Sequence, residues 1–203
     1  MNFLDRNTNI PMVNSFNWSL KRLFDICAAC LGLIVLSPVL LILVVLVRRS
    51  SPGGALFLQE RVGRSEVPFV CIKFRTMAAG SPNVGSHDAA SSWITPLGRK
   101  LRAYKLDELP QLINVLRGEM SFVGPRPCLP SQHDVIAARR KLKVFSVRPG
   151  ITGLAQLQGI DMSTPEALAQ ADARYIQKAG FWQDIVLVLS TLAGRGTGDA
   201  AAK

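Results

Sequence analysis

Two adjacent carboxylates, Asp107 and Glu108, precede a proline in the stretch KLDELPQLINVLRGEMSFVGPRP. Pro110 suits the first turn of a helix, so the pair falls at that helix's N-terminal end, where N–H groups and the helix dipole favour negative charge and phosphate. Neighbouring helical residues diverge by about 100° and cannot clamp one ligand together. The pattern therefore favours a division of labour, in which one carboxylate attacks or binds substrate and the other holds a metal ion.

Cations surround this pair in short motifs that also contain prolines or glycines, with KFRTM upstream and GPRP and RPG downstream. Arginine matches phosphate oxygens, and the neighbouring prolines and glycines fix turns. Together they predict Mg²⁺-assisted phosphoryl transfer from a nucleoside diphosphate. On the residues alone, an acidic pair that only favours a helix start remains the alternative. The cations are Lys73, Arg75, Arg102, Lys105, Arg126 and Arg148.

The composition points to a polyanionic partner. The chain has 24 basic and 14 acidic residues, a formal net charge of +10. Nucleic acid, anionic lipid and phosphorylated small molecules all fit that excess. Aromatic residues make up only 7% of the chain, without the basic and aromatic interleaving of a base-stacking surface, so nucleic acid is not expected. Cys27 and Cys30 form a CxxC inside an apolar run, which predicts buried thiols rather than a metal or redox site.

Residues 26–47 form an uncharged apolar run, ICAACLGLIVLSPVLLILVVLV, that is long enough to cross a hydrocarbon core of about 30 Å. Ser37-Pro38 interrupts its middle, and a proline there removes a helical hydrogen bond. Basic residues flank both ends, which favours the cytoplasmic side for both. We therefore predict a re-entrant membrane hairpin over residues 18–49, broken at Ser37-Pro38, with a kinked spanning helix as the alternative.

The remaining chain predicts one cytosolic catalytic domain over residues 50–194, between a polar tail at 1–17 and a second tail at 195–203. ALFLQERVG and VPFVCIKFRTM alternate apolar and polar residues, as the two strands of a β-hairpin do. Gly118 is expected to end the helix after Pro110. FWQDIVLVLSTL predicts an amphipathic helix at the membrane interface. The expected fold class is α/β and mostly helical.

The ordered series KRLFD, LSPVLLIL, LFLQERVG, KFRTM, LDELPQLINVLRGEMSFVGPRP and VRPGITGLAQ resembles the bacterial sugar transferase family. These are the monotopic phosphoglycosyl transferases, and this chain resembles their minimal, catalytic-domain-only form from about Lys21 to Leu192. The resemblance implies an enzyme on the cytoplasmic face of the bacterial inner membrane, in contact with its lipid. It also implies an unusual α/β fold in which Ser37-Pro38 breaks the re-entrant helix.

The family's chemistry gives the site residues their implied roles. Asp107 would attack the sugar-linked phosphate of a UDP-sugar, UMP would leave, and undecaprenyl phosphate would take the phosphosugar from the aspartate. Glu108 would bind Mg²⁺ or support it, so the pair forms the implied metal site. The implied phosphate-binding residues are Lys73, Arg102, Arg126 and Arg148.

The chain departs from the family pattern after GLAQ, where LQGIDMSTPEAL lacks the basic residue that many members carry after the glycine. The loop over residues 78–92 is also individual. Both could affect the choice of sugar, which the sequence leaves open together with the downstream pathway. A membrane scaffold with a basic, lipid-binding face is the competing hypothesis. It explains the charge and the apolar run, but not an acidic pair among these motifs.

Overall fold

The structure, a computed structural model, describes residues 15–81 and 90–194. The predicted tail at 195–203 lies outside these ranges, as does the tail at 1–17 except for its last three residues, which begin the first helix. Residues 82–89 of the loop between the hairpin and the acidic pair also lie outside them.

Helix α1 (Ser15–Ser50) is 36 residues long and contains Pro38. A regular helix would bond the residue 38 N–H to the Ile34 carbonyl, and proline has no N–H to give. The Ser37 hydroxyl donates to that Ile34 carbonyl at 2.8 Å and so replaces the missing bond. The helix is thus one element across Ser37-Pro38 rather than two. The re-entrant bend remains a prediction.

One face of α1 packs against the rest of the protein towards each end of the helix, and the middle of the helix is more exposed. Lys21, Asp25, Ala29, Leu43 and Val47 are buried at intervals that return to the same side of a helix. The opposite face is exposed and apolar. The prediction of buried thiols at Cys27 and Cys30 is wrong, because both cysteines are exposed. Within Trp18–Ser50, an 18-residue window has a mean hydropathy of 3.1, and the helix is long and apolar enough to cross a membrane, which is compatible with membrane association. The large apolar side chains on the exposed face include Leu23, Leu31, Ile34, Val35, Leu41, Ile42, Val45 and Leu46.

The predicted β-hairpin is confirmed. Strands β1 (Leu56–Val62) and β2 (Pro68–Phe74) pair antiparallel, with Gln59 opposite Cys71. Because side chains alternate between the two faces of a strand, Cys71 and Lys73 share one face of the hairpin with Gln59 and Arg61. Gln59, Arg61 and Cys71 are buried on this face.

Helix α2 (Pro96–Ala103) leads to the acidic pair. Its N-cap Thr95 accepts a hydrogen bond from the Gly98 N–H at 2.9 Å. Asp107 and Glu108 occupy a 3-10 turn, Leu106–Glu108, directly before helix α3 (Gln111–Arg117). The predicted helix end is confirmed, because Gly118 is left-handed with φ 81°.

Two short strands that the sequence analysis missed join distant motifs. Strands β3 (Ser121–Val123) and β4 (Gly150–Thr152) pair in parallel, where the RPGITG stretch predicted only a turn. Gly124 makes this approach possible, since a Cβ there would lie 2.5 Å from the Arg148 carbonyl oxygen. The remaining helices are α4 (His133–Lys141), α5 (Leu154–Leu157), α6 (Pro165–Lys178) and α7 (Phe181–Leu192).

A buried polar cluster ties the N-terminal part of α1 to α6 and α7. Lys21 forms a salt bridge with Asp184, and the Tyr175 hydroxyl donates to the same carboxylate at 2.9 Å. Burial raises the pKa of Asp184, while Lys21 opposes that rise. Helix α7 is amphipathic as predicted, and its position at a membrane interface remains a prediction. Its exposed stripe consists of Trp182, Val186, Leu189 and Leu192.

Candidate active site

Glu108 is the centre of a buried charge cluster. Its Oε1 accepts a hydrogen bond from Lys73 Nζ at 2.8 Å and lies 3.1 Å from Arg126 Nη2. Lys73 arrives from β2, 35 positions before Glu108, and Arg126 arrives from the GPRP loop after β3, so both cations meet at one carboxylate oxygen. The structure thus brings together three of the predicted site residues. Glu108 fixes the two cations in place, since charge-assisted contacts of this length are strong and directional.

Asp107 is also buried, with only 4% of its surface exposed. It precedes Glu108 in the 3-10 turn, where successive side chains point about 120° apart, so the two carboxylates face different directions. Lys105, at the start of this turn, is left-handed with φ 55°. A non-glycine residue costs roughly 1–3 kcal/mol in that conformation, and such strain is concentrated at functional sites.

A cavity that is open to solvent lies beside Glu108, and the empty space of about 220 Å³ within it includes part of that solvent. Three cations and one carboxylate line it, which gives the cavity an excess of positive charge suited to an anion. Burial raises the pKa of the Cys71 thiol, so this residue is present as the neutral thiol rather than as a nucleophilic thiolate. The lining residues are Arg61, Cys71, Lys73, Glu108, Gln111, Arg126, Pro127 and Gly150.

Three residues that line the cavity, Arg61, Cys71 and Gln111, were not predicted from the sequence as site residues. The hairpin register was the available signal for the first two, because strand alternation places both on the face that carries Lys73. Gln111 carried no such signal. A glutamine at a helix start reads as a surface residue, whereas this one is only 2% exposed.

Two buried arginines hold the loop that carries Arg126. Arg139 Nη1 donates to the Arg126 carbonyl at 2.7 Å, and Arg61 Nη1 donates to the Pro127 carbonyl at 3.0 Å. Arg139 is held in turn by Asp172, through Nε at 2.9 Å and Nη2 at 2.7 Å. Burial raises the pKa of Asp172, and Arg139 opposes that rise. Arg139 is therefore an internal support of the site, although it lies in a basic run, AARRK, of a kind that is typical of an exposed surface.

Arg102 and Arg148 lie outside the residues that line the cavity. Arg102 is buried on α2, where its Nε donates to the Thr76 hydroxyl at 3.0 Å. Arg148 Nε donates to the Gly118 carbonyl at 2.8 Å, at the opposite end of α3 from the acidic pair. Partial burial, with Arg22 and Arg64 nearby, lowers the pKa of Arg148. Of the four predicted phosphate-binding residues, Lys73 and Arg126 therefore share the cavity, whereas Arg102 and Arg148 do not line it.

The acidic pair offers the type of oxygen ligand that Mg²⁺ binds. Mg²⁺ in nucleotide-dependent enzymes binds one or two carboxylates together with substrate phosphates and waters. Asp107 and Glu108 are both buried carboxylates, and Glu108 is the one that lines the cavity. Among the described residues, no group of three or more His, Cys, Asp or Glu side chains forms a closed metal site. The residues therefore fit a metal ion that shares its coordination with substrate.

Comparison with known proteins identifies the class. The bacterial sugar transferase family model matches residues 16–195, and the chain belongs to this family. The match includes α1, the hairpin, the acidic turn and all helices through α7.

Three relatives show the range of named activities. A UDP-glucose:undecaprenyl-phosphate glucose-1-phosphate transferase of Caulobacter vibrioides is 41% identical over 190 residues, which cover 89% of this chain and 71% of the relative. Exopolysaccharide production protein ExoY of Rhizobium meliloti is 34% identical over 85% of this chain and 83% of its own. A UDP-N-acetylgalactosamine-undecaprenyl-phosphate N-acetylgalactosaminephosphotransferase of Aeromonas hydrophila is 35% identical over 90% of this chain and 45% of its own. A sugar-transferase function is therefore supported for this chain.

Proposed function

We propose that the protein moves a phosphosugar from a UDP-sugar to undecaprenyl phosphate and releases UMP. The observation that carries this proposal is the Glu108 cluster, in which Lys73 and Arg126 meet one carboxylate at the edge of a cation-lined cavity. A diphosphate carries the charge that such a cavity attracts, and relatives are named for reactions between UDP-sugars and undecaprenyl phosphate. The scaffold hypothesis gives no reason to bury the Glu108 carboxylate among cations at this cavity.

The proposed chemistry is a double displacement on one phosphorus atom. A carboxylate oxygen of Asp107 attacks the sugar-linked phosphorus of the UDP-sugar, the bond from that phosphorus to the bridging oxygen breaks, and UMP leaves with that oxygen. An oxygen of undecaprenyl phosphate then attacks the same phosphorus and breaks its bond to Asp107. The products are the undecaprenyl diphosphate sugar and the restored carboxylate.

The surrounding residues stabilise charge in both displacements. Lys73 and Arg126 place positive charge where the diphosphate oxygens would lie, and Glu108 holds both cations against Oε1. Because the two carboxylates face different directions, Mg²⁺ would be held by Glu108 on the cavity side or by Asp107 on its own side, together with substrate phosphate. When bound, the ion would neutralise diphosphate charge.

We further propose that α1 enters and leaves the inner membrane from the cytoplasmic face. Both of its ends contact the same domain: Asp25 Oδ1 accepts from the Phe122 N–H at 3.3 Å, and Val47 packs with Phe74 and Leu101. A helix crossing straight through would leave one end about 30 Å away on the far side of the bilayer. The contacts at both ends therefore favour the re-entrant arrangement.

UMP release tests the proposed reaction. Wild type is incubated with Mg²⁺, undecaprenyl phosphate and a panel of UDP-sugars, beside Asp107→Asn and the control Asp134→Asn on the exposed surface of α4. We expect UMP from one or two donors, a loss of about 10³-fold or more in Asp107→Asn, and no change in the control, because only the first variant loses the nucleophile. Retention of most activity by Asp107→Asn would show that Asp107 is not the nucleophile. Absence of UMP with every donor would contradict the reaction itself.

A further inference from the structure

Gln111 has a buried hydrogen-bond donor that finds no partner in the part of the chain that the structure describes. The residue is the first of α3 and is 2% exposed. Its Nε2 is buried and has no hydrogen-bond partner among the described residues. Most buried polar side-chain atoms in proteins are hydrogen-bonded, and an unpaired one loses its contact with water without any compensation.

This unpaired donor belongs to the cavity beside Glu108. Gln111 lines that cavity together with Lys73 and Arg126, which come from β2 and the GPRP loop. A ligand in the cavity is thus positioned to accept a hydrogen bond from Gln111 Nε2. Such an unmade bond at a charged cavity is a feature of a binding site that is completed by its substrate.

The lining residues define the chemical class of the acceptor. Arg61, Lys73 and Arg126 make the cavity positive, which selects an anionic oxygen rather than a carbonyl or a hydroxyl. The phosphate portion of a nucleotide sugar carries such anionic oxygens, whereas its sugar and base are uncharged.

We propose that Gln111 donates its Nε2–H to a phosphoryl oxygen of the nucleoside diphosphate donor. This inference rests on the proposed function and adds a substrate-binding residue to it. A neutral amide fixes the direction of one phosphoryl oxygen without adding a fourth cation to the cavity. A further cation there would also bind the phosphate of the leaving nucleotide more tightly and so retard its release.

Binding measurements on two variants test this role. Gln111→Glu keeps the shape but replaces the donor with a negative acceptor, and Gln111→Met keeps the length without any donor. Gln177→Glu, exposed on α6, repeats the charge change away from the cavity. Calorimetry with Mg²⁺ then measures the affinities for UDP, inorganic pyrophosphate and uridine, and UMP release gives kcat and KM.

We expect Gln111→Met to weaken the binding of UDP and pyrophosphate about tenfold, because one hydrogen bond is lost. Gln111→Glu should weaken it further, because the new carboxylate also repels the phosphates. Uridine affinity should not change, and Gln177→Glu should behave as wild type. Unchanged UDP affinity in both Gln111 variants overturns the inference. Equal weakening of uridine and UDP also overturns it, because the contact would then be to the nucleoside.

The two proposals fail in different ways. If wild type binds UDP through Gln111 but releases no UMP from any donor, the proposed reaction fails and the phosphate contact stands. If wild type releases UMP and both Gln111 variants bind UDP normally, only the Gln111 contact fails. Wild type that binds neither UDP nor pyrophosphate contradicts the phosphate contact directly. Thermal unfolding of each variant separates loss of binding from loss of fold.

Discussion

The Arg139–Asp172 pair can be removed in a way that separates stability from activity. Both side chains are fully buried, so replacing Asp172 with leucine leaves an unpaired guanidinium in the interior. Removing one partner of a buried ion pair costs about 3–5 kcal/mol. For a chain of this size each kcal/mol lowers Tm by roughly 2–4 °C, so Asp172→Leu should lower Tm by roughly 6–20 °C.

The double variant Arg139→Met/Asp172→Leu removes both charges together. Apolar replacement of an entire buried pair is often neutral or stabilising, so most of the lost Tm should return. The Arg126 carbonyl nevertheless loses the bond from Arg139 Nη1, and a hydrogen bond from a charged donor contributes about 1.5–3 kcal/mol. If that energy positions Arg126 against Glu108, kcat/KM should fall roughly 10–100-fold while Tm recovers.

Two measurements on the same samples decide this prediction. Thermal unfolding in detergent gives Tm for wild type, Asp172→Leu and the double variant, and UMP release gives kcat/KM. Arg140→Met is the matched control, because Arg140 lies on the same helix but pairs with Glu66 on the surface. A double variant that recovers both Tm and wild-type kcat/KM would refute the positioning role. An Asp172→Leu protein as stable as wild type would refute the energetic argument.

Three further predictions concern the metal, the membrane helix and acid stability. Chelation by EDTA should stop UMP release and added Mg²⁺ should restore it, whereas unchanged activity would exclude the metal. In a background without the native cysteines, new cysteines at Ser19 and Ser50 should react with a membrane-impermeant label from the same side of the membrane. Pro38→Ala should shift the helix towards a spanning arrangement. Labelling from opposite sides in the protein that retains Pro38 would contradict the hairpin. Burial raises the pKa of Asp184 in the folded state above its value of about 3.8 in the unfolded chain. Between these two pKa values the folded state binds more protons than the unfolded state. The free energy of unfolding contributed by Asp184 therefore falls as the pH rises through this window. Asp184→Asn should remove this contribution, and an unchanged pH dependence of the free energy of unfolding would contradict it.

The parts of the fold that local patterns specify could be predicted from the sequence. Strand alternation gave the hairpin, and its faces could also have placed Arg61 and Cys71 beside Lys73. Gly118 ended α3 as expected, because a left-handed helix end favours glycine. The expectation of burial for Cys27 and Cys30 failed because an apolar helix can present one of its faces outward.

The parts that depend on distant pairing could not be predicted. β3 and β4 are three residues each and pair across 29 positions, from Ser121 to Gly150, so neither has a readable period of its own. The basic run AARRK gave no sign that Arg139 would be 1% exposed, since only its partner Asp172 on α6 makes that burial tolerable. The unpaired amide of Gln111 likewise exists only once β2, the GPRP loop and α3 enclose the cavity.

The most direct test of the central claim is the mass of the intact protein after incubation with the donor that supports UMP release, Mg²⁺ and no undecaprenyl phosphate. The account predicts a mass gain of one phosphosugar, located on the peptide that contains Asp107, absent from Asp107→Asn and removed when undecaprenyl phosphate is added. UMP release that requires undecaprenyl phosphate from the first turnover, with no mass gain in its absence, would contradict a covalent aspartyl intermediate and indicate direct transfer between the two substrates.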